Sequence, residues 1–200
     1  IPMVDLAIRR DINIPRRYSR DPIPLRWIMS MYHHFLFHTT RPSIFLPIDI
    51  DISGKKVLVV VFMCNHCPYV QAYIERIKAI QSDYGIKGVQ VVGINSNDEV
   101  NYPDDSFDKM MEFNKQIKLN FPYLRDENQS AANAYGAQCT PECFVFDADR
   151  NLMYHGRIDD NHKDENAVKT YDLRNAINAL LHNQKVAIEL TPAIGCSVKW

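Results

Sequence analysis

Residues 57–63, Val-Leu-Val-Val-Val-Phe-Met, form an unbroken apolar run rich in β-branched side chains. Such a run fits a strand buried on both faces. Over residues 68–84 the spacing changes. Val70, Tyr73, Ile74, Ile77 and Ile80 recur at helical intervals, and Gly85 stands where a C-terminal cap belongs. Residues 89–94 repeat the buried-strand pattern. Residues 106–117 predict a helix, 121–124 a short strand, and 128–135 a short helix ended by Gly136. Residues 144–146 and 152–155 flank the turn-rich Asp147-Ala148-Asp149-Arg150-Asn151 and predict a hairpin. Residues 171–183 close the series as a helix with Leu173, Ile177, Leu180 and Leu181 on one face. Strands alternating with helices, then a hairpin and a helix, imply an α/β protein: a three-layer α/β/α sandwich around a mixed central sheet.

The front of the chain reads differently. Residues 1–47 hold seven Arg, no Lys, three Asp and no Gly, for a charge of +4, with six prolines. They show no strand alternation and only a weak helical pattern around 26–37. The expectation is an N-terminal extension over 1–47 and one domain over 48–200. His33, His34 and His38 receive no role.

The whole chain of 200 residues is long enough for a sizeable core. Its net charge of -1 gives no electrostatic case for nucleic acid. No apolar run reaches the ~20 residues of a membrane helix. With no readable export signal the expected compartment is cytoplasmic, an exported form being the alternative.

Chemistry concentrates at Cys64-Asn65-His66-Cys67-Pro68, where the first strand ends. Proline favours the first helical position, so Cys67 falls at the N-cap. There the helix N-terminus favours a thiolate. Cys64 then lies about one turn upstream as the resolving partner, and a protonated His66 would support the Cys67 thiolate further. A lone C-x-x-C is half a zinc site, and no second half follows it. No metal or other cofactor is expected.

Strand, C-x-x-C at a helix start and a later Thr140-Pro141 before a strand resemble the thioredoxin fold. The resemblance implies a cis Thr140–Pro141 bond and a loop lying against the redox pair. Four motifs in order sharpen it: Cys64-Asn65-His66-Cys67-Pro68-Tyr69-Val70, Cys139-Thr140-Pro141-Glu142, Gly156-Arg157-Ile158-Asp159-Asp160 and Gly195-Cys196-Ser197-Val198-Lys199-Trp200. Together they resemble the peroxiredoxin-like, TlpA-like thioredoxin proteins of the alkyl hydroperoxide reductase/thiol-specific antioxidant group, over about residues 54–200.

Two departures stand out. In the peroxiredoxin pattern P-x-x-x-[TS]-x-x-C, counting back from Cys67 puts Cys64 at the hydroxyl position and Val60 at the proline. Against the thioredoxin motif, a gapless comparison puts Cys67 on the first cysteine and Val70 on the second. At the front, only Phe45-Leu46-Pro47 resembles the family's opening segment.

The resemblance implies an enzyme, foremost a thiol–disulfide oxidoreductase with Cys67 and Cys64 catalytic and His66, Pro68, Thr140 and Pro141 supporting. The alternatives are a thiol peroxidase with Cys67 peroxidatic, and a soft-metal protein using Cys64, Cys67 and Cys139, with or without His66. The implied partners are a disulfide or peroxide substrate and a thioredoxin- or glutathione-type reductant. Cys139 and Cys196, the latter on a mobile tail, are possible additional thiols. Arg157 and Asp159 are either a surface ion pair or site-flanking residues. Cys143 is expected to be buried, and the acidic stretch from Asp98 to Asp108 to be a solvated loop.

Overall fold

A computed structural model of the chain describes residues 52–200. The features expected in 1–47, with the three early histidines and the Phe45-Leu46-Pro47 segment, lie outside the described residues.

Strand β1 (Val57–Phe62) is the centre of the fold, and all six of its side chains are buried. Each such apolar side chain contributes about 1.5–3 kcal/mol on leaving water. β1 pairs in parallel with β2 (Val89–Asn95), which pairs in parallel with β3 (Tyr123–Arg125). On its other side β1 pairs antiparallel with β5 (Glu142–Phe146), and β5 with β6 (Leu152–Gly156). The mixed sheet therefore runs β3-β2-β1-β5-β6.

Because strand side chains alternate, β1 feeds two cores. Val57, Val59 and Val61 face one core with Ile74 and Ile77 of α1 (Pro68–Tyr84) and with Leu173 and Ile177 of α4 (Asp172–Leu181). Met110 of α2 (Phe107–Ile117) enters the same core. Leu58, Val60 and Phe62 face the other, with Ala131, Ala132 and Tyr135 of α3 (Ser130–Tyr135) and with Val198 near the C-terminus. The result is the three-layer α/β/α sandwich. No helix among the described residues is long and apolar enough to cross a membrane.

Two local readings change. Gly85 is the C-cap residue of α1, as its position predicts, but at φ −57° it is not left-handed, and the chain continues into a 3-10 turn, Gly85–Lys87. Gly88, at φ 93°, makes the left-handed turn instead. The chain after residue 195 is not loose. It forms β7 (Cys196–Ser197), which pairs antiparallel with β4 (Cys139–Thr140), a second, two-stranded sheet.

Candidate functional site

The loop leaving β1 delivers both cysteines to the start of α1. Cys67 is the N-cap residue, in extended conformation, with Pro68 opening the helix. The Thr140–Pro141 bond is cis, and Thr140 meets both sulfurs. Its hydroxyl lies 3.4 Å from Cys64 Sγ, and its carbonyl oxygen accepts from the Cys67 thiol at 3.1 Å. Cys64 and Cys67 are free thiols, 1% and 0% exposed.

The two sulfurs share a proton unequally. The hydrogen bond from Cys64, then the Thr140 hydroxyl, the Val70 N–H and the Cys196 thiol, hold Cys67 well below the ordinary thiol value against the opposing pull of burial. The Val70 amide fits the helix N-terminus argument. It favours the ionised sulfur, whereas the neutral thiol turns to the Thr140 carbonyl and makes no capping bond. Cys64 moves the opposite way. Its bond to Cys67, burial and the charge of Asp105 all raise it. The pair gives up one proton readily and holds the second.

Asp105 is a residue that the sequence reading missed. It lies inside the acidic stretch expected to be solvated, yet it is 0% exposed. Its carboxylate accepts from Asn65 N at 2.8 Å and from Asn97 Nδ2 at 2.7 Å, and lies 2.8 Å from His66 Nδ1. Asp105→Ala strips two buried donors of their acceptor. The expected loss is about 1–3 kcal/mol for each, read by urea unfolding; a change within about 0.5 kcal/mol would contradict this role.

His66 is held on Asp105, on the side of the site where Cys64 lies. The ligating atoms of Cys64, His66 and Asp105 lie within 4.8 Å of one another, and the imidazole stacks on Tyr102. The sulfur trio Cys64, Cys67 and Cys139 does not assemble. Alternation in β4 turns Cys139 away from the face on which Thr140 meets the pair, and burial pushes its thiol up to about 12. Cys143 is fully buried in β5.

Arg157 and Asp159 do not pair with each other. Arg157 Nε bonds Asp172 at 2.7 Å, while Asp159 takes Arg76 at 2.7 Å and the Tyr73 hydroxyl at 2.9 Å. Both tie the β6 exit to helices, and neither bonds a sulfur. Cys196, by contrast, is placed by β7 opposite Thr140, the residue that meets both sulfurs.

The family model described as Redoxin matches residues 48–172. The chain belongs to the Redoxin family. It is accordingly an oxidoreductase with thiol redox activity. Among solved redoxin-like structures, a hypothetical protein from Sinorhizobium meliloti 1021 is 38% identical. The match covers 75% of this chain and 82% of that one, with a TM-score of 0.71. An uncharacterized conserved protein from Geobacillus kaustophilus is 40% identical, covering 75% and 80%, again at 0.71. A protein provisionally described as a thioredoxin from Neisseria meningitidis is 20% identical over 68% and 80%, at 0.53, and shares the thioredoxin-like fold. No curated protein matches the chain.

Proposed function

We propose that the protein is a thiol–disulfide oxidoreductase in which Cys67 is the nucleophile and Cys64 the resolving thiol. The observation that carries this reading is the convergence of both sulfurs on Thr140, with Cys67 at the helix N-terminus. The Cys67 thiolate attacks one sulfur of a substrate disulfide and expels the other as thiolate. Cys64 then attacks Cys67 Sγ in the mixed disulfide. The second substrate thiol leaves, and a Cys64–Cys67 disulfide remains. The substrate gains two electrons, and a dithiol or glutathione-type reductant restores the pair. The Asp105 charge favours the protonated form of Cys64 when the pair is reduced, and the Thr140 hydroxyl lies 3.4 Å from its sulfur.

Disulfide mapping of the wild-type protein across graded ratios of reduced to oxidised glutathione tests the pair. The expected product is a Cys64–Cys67 disulfide formed in one two-electron transition. Absence of a Cys64–Cys67 disulfide at every ratio would sink the assignment.

A further inference from the structure

Residues 195–199 bring another sulfur to the pair, and they are anchored on both sides of it. Val198 is buried in the core beneath α3, and its N–H donates to Gln138 O at 3.0 Å. Lys199 N donates to Asn97 Oδ1 at 2.8 Å, and its carbonyl accepts from Asp98 N at 2.8 Å and Gln129 Nε2 at 2.7 Å. On the other side Gly195 lies flat on the Thr140–Pro141 peptide, where any Cβ would collide with the Thr140 carbonyl.

Between these anchors Cys196 stands opposite Thr140, and Ser197 opposite Cys139. Residues opposite each other in a ladder share a face, and neighbours alternate. Thr140 turns its hydroxyl to the redox pair, so Cys196 shares that face. Cys139 and Ser197 turn away. The register therefore sets the Cys196 side chain on the face of Thr140 that meets the redox pair, beside the Thr140 carbonyl that accepts from the Cys67 thiol. Cys196 is also partly exposed, while Cys64 and Cys67 are buried.

We propose that Cys196 is a third redox thiol, exchanging with the Cys64–Cys67 disulfide at Cys67. This rests on the reading of Cys67 as the nucleophilic sulfur. The Cys196 thiolate attacks Cys67 Sγ. The bond to Cys64 breaks, and Cys64 leaves with the electron pair and takes up the proton that Cys196 lost. One disulfide replaces another, so no outside oxidant is consumed. The oxidising equivalent moves from two buried sulfurs to a bond with one partly exposed sulfur, where a thiol reductant reaches it. The reductant's thiolate attacks Cys196 and frees Cys67, and a second reductant thiol then releases Cys196.

The test uses the full chain, oxidised glutathione and disulfide mapping after acid quenching. In Cys64→Ser, Cys67 takes up glutathione and Cys196 displaces it. The expected product is a Cys67–Cys196 disulfide in most molecules, with no retained adduct. Cys64→Ser/Cys196→Ser keeps the glutathione on Cys67. A stable adduct in Cys64→Ser, with Cys196 still alkylatable, would overturn the proposal, as would a Cys67–Cys139 disulfide. Should Cys64→Ser not fold, the wild type at intermediate glutathione ratios takes its place: a Cys67–Cys196 species supports the proposal and none overturns it. A wild type that forms Cys67–Cys196 but never Cys64–Cys67 would uphold the third thiol and overturn the pair.

Discussion

Cys67→Ser lowers disulfide exchange to the uncatalysed rate. A hydroxyl at this position has the helix N-terminus and the donors around it but does not ionise near neutral pH. The same substitution removes a low-lying thiolate titration. Ordinary thiols titrate near ~8.5, and Cys67 is held below that by Cys64, Thr140, Val70 and Cys196. Ultraviolet titration of the reduced protein should therefore show one thiolate forming well below the ordinary value, absent in Cys67→Ser. The sign for stability follows from linkage. A depressed native pKa stabilises the reduced fold fully above the unfolded value, and that contribution is lost as pH falls through the native one. The stability difference between wild type and Cys67→Ser should thus grow with rising pH across that window. A variant that keeps half the wild-type rate, or keeps the low titration, would assign the nucleophile elsewhere.

Gly195→Ala opens the site. The added methyl would run into the carbonyl of Thr140 and the nitrogen of Pro141, atoms fixed by the loop that contacts both sulfurs, so the terminal strap is the part that yields. Forcing an extra methyl into a tight contact typically costs about 1–3 kcal/mol. A shift of that size means roughly 5- to 150-fold more open protein. Alkylation of Cys67 by iodoacetamide should accelerate by that factor, and protease should trim the tail faster. Unchanged alkylation with an intact tail would mean that the strap does not guard Cys67.

The main features were legible where one physical cause dominated. The β-branched run of β1 has a single comfortable home, a central strand. Pro68 marked the start of α1 because its missing N–H is free of cost only there, and the observed helix begins on it. Thr140-Pro141 pointed to the loop facing the pair through resemblance rather than spacing.

What stayed hidden depended on long-range partners. Asp105 looks like any acid in an acidic loop until Asn65 and Asn97 close around it. His66 is read from the sequence only as a neighbour of Cys67, while its ring is held by Asp105 in a group that includes Cys64. β4 and β7 are two residues long, too short for any alternation to register. Only their mutual pairing sorts Cys196 from Cys139. Gly85 caps α1 and Gly88 the 3-10 turn that follows it, and the backbone angle that gives only the second a left-handed turn is not written in composition.

The strap also sets terms for anything else that would bind there. Its backbone already fills the edge of β4 beside Cys67, and it is attached to the same chain. A tethered strand of this kind acts as a competitor at an effective concentration in the millimolar range for short connections. An extended partner approaching Cys67 along that edge binds only the fraction of molecules whose strap is away. Its apparent dissociation constant is the intrinsic one divided by that fraction. Substrates are then selected less by how well they fit the edge than by whether they outcompete the protein's own residues 195–199.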